Sequence, residues 1–176
     1  MRFILGIIVT IGVLLVVAIV VVDFGLMSFR ADQTPSDFES KYAMKAVDSS
    51  TKRGAANLKN PIQPTDLNLL DGMRAYKTYC AGCHGDPAQP KSPLAESFYP
   101  PAPQFLSDMP DMPENENFYI IKHGIRFTGM PAWEKLAGDE QIWKVATFLS
   151  HMDKLPAAVD QEWKKPAPTN TTAPGN

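Results

Sequence analysis

The side chains best suited to chemistry lie together in the heptapeptide YCAGCHG, residues 79–85. It holds both cysteines of the chain, Cys80 and Cys83, and one of the three histidines, His84. Thiols and imidazoles bind transition metals, and thiols also carry redox chemistry. Four kinds of site contain such residues: a zinc site, a redox-active dithiol, a structural disulfide and an attachment point for a covalent porphyrin.

The spacing disfavours the first three kinds of site. Tetrahedral zinc would need a fourth ligand from His123 or His151, and it would need adjacent Cys83 and His84 to point at one ion. A thioredoxin-like dithiol follows a strand of a βαβ unit, which this sequence does not predict. A disulfide that closes so short a loop stabilises a fold little.

Heme attachment accounts for each of the three fixed positions of the C-x-x-C-H pattern. Two thiols add to the two vinyl groups on one edge of the porphyrin, and the next residue brings its imidazole to the iron. The sequence therefore predicts one heme c, covalently bound through Cys80 and Cys83, with His84 as an iron ligand.

The elements that must position this motif are predicted to be helical. Apolar residues are spaced by threes and fours from Asp66 up to the motif. The same spacing recurs in ENENFYIIKHG, which ends at the capping Gly124, and in DEQIWKVATFLSHM, which begins at Asp139. No stretch alternates with a period of two, so we expect an all-α domain. Residues 87–113 carry eight prolines, and we expect them to wrap a large rigid ligand.

The amino-terminal segment Phe3 to Val22 is twenty residues long, without a charge. As a helix it is about 30 Å long, the thickness of the hydrocarbon core of a bilayer. A cleavable signal peptide is the alternative, but its apolar region is usually shorter and ends in a small-x-small site. Residues 1–22 are therefore predicted to be an uncleaved transmembrane anchor.

Three further segments complete the predicted organisation. Residues 23–64 form a polar connector with a short amphipathic helix that begins at Ser36, which either lies on the globular domain or docks on a membrane partner. Residues 65–155 form the heme domain, and residues 156–176 form a disordered tail.

Charge limits the class of partner. The chain has a net charge of −2 and no cluster of basic residues, which argues against a nucleic-acid partner. Residues 65–155 hold eight basic and twelve acidic residues, so we expect a protein partner with a basic rim.

The sequence resembles the class I c-type cytochromes, specifically the membrane-anchored bacterial monoheme kind. The resemblance is carried by DGMRAYKTYCAGCHG, GIRFTGMPAW and DEQIWKVATFL, and it covers roughly residues 65–155. It implies that the first and last helices of the domain cross at Gly72, with Trp143 packed in the crossing. It also implies that Met130 is the second iron ligand.

Other ligands remain open for the second face of the iron. Met109 and Met112 lie in the proline-rich loop, and His123 and His151 lie at helix ends, where surface positions are expected. A metal-bound imidazole usually donates its other ring N–H to an acceptor, so a carbonyl of the proline-rich loop is predicted to accept a hydrogen bond from His84. Tyr99 resembles the tyrosine that reaches a heme propionate in relatives.

Iron with ligands on both faces has no open position for a substrate, so the expected role is electron transfer and not catalysis. Because heme is attached to cysteines on the exported side, the domain is expected outside the inner membrane of a bacterium. The expected protein is a tethered carrier between a membrane or periplasmic dehydrogenase or quinol oxidase and a terminal oxidase or reductase. The alternatives are a fixed heme subunit of a membrane respiratory complex, a gas-binding cytochrome and a non-heme protein.

Overall fold

The structure is a computed structural model that describes residues 2–166, and these contain seven α-helices and no β-strand. The helices are α1 Arg2–Asp23, α2 Asp37–Ala55, α3 Asp66–Tyr79, α4 Ala81–His84, α5 Glu114–His123, α6 Asp139–Leu149 and α7 Ala157–Trp163. A single turn of 3₁₀ helix lies at Ala95–Ser97. The all-α prediction is confirmed, and the chain divides into two compact units, residues 1–30 and residues 31–176.

The first unit is dominated by α1. Its most apolar window has a mean hydropathy of 3.3, and none of that window is buried. Within residues 2–166 it is the one helix with the length and composition to cross a membrane. A membrane anchor and an amino-terminal signal sequence both contain such a helix.

The second unit is built on the contact between α3 and α6. A Cβ atom on Gly72 would lie 2.1 Å from the carbonyl oxygen of Lys144, so the two helix backbones can approach this closely only at a glycine. The expected crossing at Gly72 is confirmed. Phe148 is the side chain nearest to Gly72 in the crossing, and Trp143, which precedes Lys144, stacks on Phe118 of α5 with ring centroids 3.9 Å apart.

The core continues into α7, which covers one side of α3. Val159 is fully buried and Trp163 is 5% exposed. The Trp163 ring meets Tyr76 at 5.6 Å and Phe148 at 5.2 Å between centroids. This differs from the disorder expected from Pro156 onward, since two apolar side chains one turn apart suffice to dock a seven-residue helix. Residues 167–176 of that predicted tail lie outside the described residues.

Helix α2 begins where the sequence predicts. The hydroxyl oxygen of Ser36 accepts a hydrogen bond from the backbone N–H of Glu39, at 3.2 Å. The helix then runs for 19 residues, and its last turns pack on α5 with Thr51 and Ala55 buried. The predicted connector 23–64 is therefore largely part of the second unit, and only residues 24–36 separate α1 from α2.

Candidate heme site

The cysteine motif is a short helix attached to the end of α3. Cys80 joins α3 to α4, and its carbonyl accepts from the N–H groups of Cys83 and His84 at 3.0 and 2.9 Å. This helical spacing places both thiols on one side of the backbone. Neither thiol forms a disulfide. Burial raises the pKa of the Cys80 thiol to about 12, so it stays protonated at neutral pH.

Four successive carbonyls of the motif are hydrogen-bonded from outside it. The donors are Ser92 Oγ to Gly82, Gln104 Nε2 to Cys83 at 2.9 Å, Phe105 N to His84 at 3.1 Å, and Tyr76 Oη to Gly85 at 2.8 Å. Three of these donors belong to the proline-rich loop, which therefore packs directly on the motif. Burial raises the pKa of Tyr76, so its hydroxyl remains a donor over the physiological range.

Gln104 is the residue that ties the loop together. Its Nε2 donates to Ala102 as well as to Cys83, both at 2.9 Å, and its Oε1 accepts from the backbone N–H of Ser92 at 2.7 Å. One side-chain amide thus joins two parts of the loop to the motif. The sequence offered no signal for this role beyond an amide among prolines.

Gln104→Leu is expected to lower the free energy of unfolding by about 1–3 kcal/mol, because it leaves half-buried backbone groups without partners. Chemical denaturation of the heme-loaded protein measures this loss. Gln89→Leu, at an exposed position of the same loop, is the matched control and should change little. Equal stability of the two variants would contradict the bridging role of Gln104.

His84 is held through one of its two ring nitrogens. Its Nδ1 lies 2.9 Å from the carbonyl oxygen of Pro103, so the expected carbonyl of the proline-rich loop is confirmed. The ring also stacks on Phe105, with centroids 4.3 Å apart and planes within 6°. Burial lowers the pKa of His84, against the opposing effect of the Pro103 carbonyl. A neutral ring that donates from Nδ1 presents the lone pair of Nε2 to a metal.

Met130 lies in a loop closed by its own hydrogen bonds. Gly124 ends α5 with the left-handed φ of +66° that its capping role predicts. The N–H of Ile125 then donates to the carbonyl of Met130 at 3.1 Å, and the N–H of Met130 donates to the hydroxyl of Thr128 at 3.1 Å. The Met130 side chain is half-buried against the core. These bonds fix the backbone of Met130. No pattern in the sequence predicts that the Thr128 hydroxyl takes part.

The motif and the proline-rich loop each contact the segment that contains Met130. The rings of Tyr79, next to Cys80, and Trp133 lie 5.5 Å apart between centroids. The ring of Phe98, from the proline-rich loop, lies against Gly129, where a Cβ would be only 2.4 Å from it. Near Cys80, residues of α3, α5, α6 and the segment between α5 and α6 line a small, mostly apolar pocket: Ala75, Tyr79, Cys80, Ile121, Trp133, Ala137, Gln141, Ile142 and Val145. Cys83, His84 and Met130 do not line it.

These residues fit a covalent heme. Two free thiols stand on one side of a helical turn, an oriented imidazole follows them, and a thioether lies in a loop that packs nearby. The pocket wall at Cys80 is apolar, as the porphyrin ring requires. The residues present therefore fit an iron porphyrin with one nitrogen and one sulfur ligand.

The other methionines have different surroundings. Met73 and Met152 are 4% and 6% exposed and belong to the core. Met109 is 45% exposed, and the backbone carbonyl of Met112 accepts from Asn117 at 2.9 Å. Neither Met109 nor Met112 has backbone hydrogen bonds like those that close the loop at Met130.

The other two histidines are engaged elsewhere. Exposed His123 has its Nδ1 3.9 Å from a carboxylate oxygen of Glu134, and His151 has its Nδ1 2.8 Å from the carbonyl of Thr147. Among residues 2–166, no group of three or more His, Cys, Asp and Glu side chains is placed to hold a metal ion. This arrangement disfavours the zinc hypothesis.

The expected role of Tyr99 at a propionate is not supported by its contacts. Its hydroxyl donates to a carboxylate oxygen of Glu39 at 2.6 Å and so joins the proline-rich loop to α2. No local pattern in the sequence predicts this contact, because the two residues lie 60 positions apart.

Comparison with known proteins identifies the kind of domain that contains these residues. Residues 68–149 match the family model described as Cytochrome C oxidase, cbb3-type, subunit III. No curated protein and no solved structure matched significantly. The matched stretch begins within α3, ends with the last residue of α6 and contains the cysteine motif and Met130. Such a domain implies covalently bound heme c and heme-based electron transfer. Residues 68–149 are accordingly a class I c-type cytochrome domain.

Proposed function

We propose that this chain is a membrane-tethered monoheme cytochrome whose heme is attached through Cys80 and Cys83, with His84 and Met130 as iron ligands. The observation that carries the proposal is the contact of His84 Nδ1 with the carbonyl of Pro103. A histidine fixed in this way holds one tautomer and one ring orientation toward a metal.

The bound heme supplies reversible one-electron chemistry, and the protein sets its conditions. Pro103 orients His84, while Ile125 and Thr128 hold the backbone that carries Met130. A methionine ligand raises the reduction potential relative to a second histidine. If His84 and Met130 both bound the iron, no position would be left for a substrate, and the domain would exchange electrons as a carrier and not as an enzyme.

The tether is α1 together with the segment that follows it. Residues 24–36, as a flexible coil, span about 20 Å root-mean-square. This short link keeps the cytochrome domain near the membrane and raises its effective concentration toward partners there. Because heme is attached on the exported side, we place the domain on the periplasmic face of a bacterial inner membrane.

The partners are electron-transfer proteins of a respiratory chain. The donor is a membrane or periplasmic dehydrogenase or a quinol oxidase, and the acceptor is a terminal oxidase or reductase. The heme domain carries a net charge of −4 over residues 65–155, which favours acceptors and donors with a basic rim.

A second candidate is a fixed heme subunit of a membrane respiratory complex. It is favoured by the description of the matching family, which names a subunit of a cbb3-type oxidase. Extraction in mild detergent followed by sizing separates the two candidates. The tethered carrier elutes as a single chain in its micelle, whereas a fixed subunit elutes together with the other chains of its complex.

A further inference from the structure

We propose that one face of α2 binds the surface of an anionic lipid bilayer. We call it the aromatic-basic face and define it by Phe38, Tyr42, Lys45 and Arg53, with Lys41 and Lys52 at its edge. The proposal rests on the function proposed above, in which α1 anchors the chain in a membrane. It goes further by assigning a ligand, the anionic lipid headgroups, to a helix outside the cytochrome domain match.

Only the carboxyl-terminal turns of α2 bury residues against the rest of the unit, and the amino-terminal part contacts it through Glu39, which accepts from the Tyr99 hydroxyl. Thr51 and Ala55 are its two buried residues, and a Cβ on Gly54 would lie 2.3 Å from the ring of Tyr119 in α5. No residue from Asp37 to Ser50 is buried. About two thirds of the helix therefore has an uncovered side.

Two aromatic rings stand on that uncovered side. Phe38 is 73% exposed and Tyr42 is 53% exposed, and their centroids lie 4.6 Å apart. They are one helical turn apart and in contact, with ring planes tilted by 46°, so they form a single apolar patch. Exposed aromatic patches of this kind mark interaction surfaces.

Basic residues share this face, and acidic residues do not. At about 100° per residue, Phe38, Tyr42, Lys45 and Arg53 lie opposite the side that carries Thr51. The three acidic residues of α2 lie outside the arc of these four, with Asp48 next to the edge lysines Lys41 and Lys52. The three acidic residues are Asp37, Glu39, which accepts the Tyr99 hydroxyl, and Asp48, whose carboxylate pairs with Lys52 at 2.8 Å. The face is thus apolar and cationic, which complements the anionic headgroup region of a bilayer.

The segment that leads to α2 supports a lipid surface over a protein partner. Only residues 24–36 separate α2 from the apolar helix α1. Four large apolar side chains in this link are exposed: Phe24 at 76%, Leu26 at 69%, Met27 at 55% and Phe29 at 90%. A link that crosses water would be polar, whereas aromatic and aliphatic residues next to a membrane span are typical of the interface.

Lipid binding by α2 would restrict the orientation of the cytochrome domain. Helix α2 packs on α5, and α5 leads directly into the loop that holds Met130. The domain would then present a fixed side to the membrane instead of sampling all orientations on its link.

Hydrogen exchange in lipid nanodiscs tests the proposal with the full-length, heme-loaded protein. One set of discs contains phosphatidylcholine alone, and the other contains phosphatidylcholine mixed with phosphatidylglycerol. Amides of residues 37–47 are expected to exchange at least about tenfold more slowly in the anionic discs, because several basic side chains gain headgroup attraction. Amides of α6 should exchange alike in both.

Two charge-reversal variants sharpen the test. The triple variant Lys41→Glu, Lys45→Glu, Arg53→Glu should lose the difference between the two lipids. The matched control reverses three exposed lysines elsewhere, Lys91→Glu, Lys135→Glu and Lys154→Glu, and should keep it.

Three outcomes would overturn the proposal. Equal exchange of residues 37–47 in both lipids rules out an anionic surface as the ligand. Slow exchange that appears only in discs made from a native membrane extract, which contain other proteins, assigns the face to a protein partner. A chain that retains its heme but does not enter discs contradicts the proposed membrane anchor, and the lipid-binding inference fails with it. If the chain enters discs and α2 is not protected, only the lipid-binding inference fails.

Discussion

Met130→Ala is expected to abolish the weak near-infrared absorption band that arises from a thioether bound to ferric heme. It is also expected to lower the reduction potential by a substantial part of the roughly 0.8 V that axial ligands span. The backbone bonds of Met130 to Ile125 and Thr128 do not involve its side chain, so alanine keeps the loop and removes the sulfur. Optical spectra and a redox titration of the variant measure both effects.

Met109→Ala and Met112→Ala are the controls for this experiment. Both residues lie in the proline-rich loop, and both variants should retain the near-infrared band and the potential. A band that survives in Met130→Ala but disappears in either control would move the sulfur ligand to that loop.

Gly72→Ala is expected to destabilise the heme domain by about 3 kcal/mol or more, because a side chain there overpacks a rigid contact. The new Cβ would lie 2.1 Å from the carbonyl oxygen of Lys144 and 2.6 Å from its carbonyl carbon. Both atoms belong to the backbone of α6, so no side-chain rotation can relieve the clash. Denaturant unfolding of the heme-loaded variant measures the loss.

Gly82→Ala is the matched control for the helix crossing. Gly82 is also helical, but a Cβ there meets no atom within 4 Å. Alanine is the better helix former, so this variant should be at least as stable as the parent protein. A Gly72→Ala protein as stable as the Gly82→Ala protein would show that α3 and α6 do not cross as closely as described.

Local sequence patterns predicted the parts of the fold that depend on neighbouring residues. Helical spacing located α3, α5 and α6, and Ser36 marked the start of α2. The spacing of Cys80, Cys83 and His84 pointed to a porphyrin before any contact was known. These features follow from interactions within a few residues of the chain, which is why one sequence suffices to find them.

The features that the sequence could not supply depend on distant contacts. Gln104 reaches Cys83 across 21 positions, and the ring of Trp163 in α7 packs on Tyr76 in α3. Trp143 stacks on Phe118 of α5, a partner 25 positions earlier in the chain. In each case the partner is chosen by tertiary packing, which leaves no periodic pattern in the sequence.

The mass of the full-length chain, expressed with the heme-attachment machinery and exported, tests the central claim most directly. The account predicts the mass of the polypeptide plus one heme, with neither Cys80 nor Cys83 open to alkylation after denaturation. A mass without the added porphyrin, or two alkylated cysteines in the intact product, would contradict it.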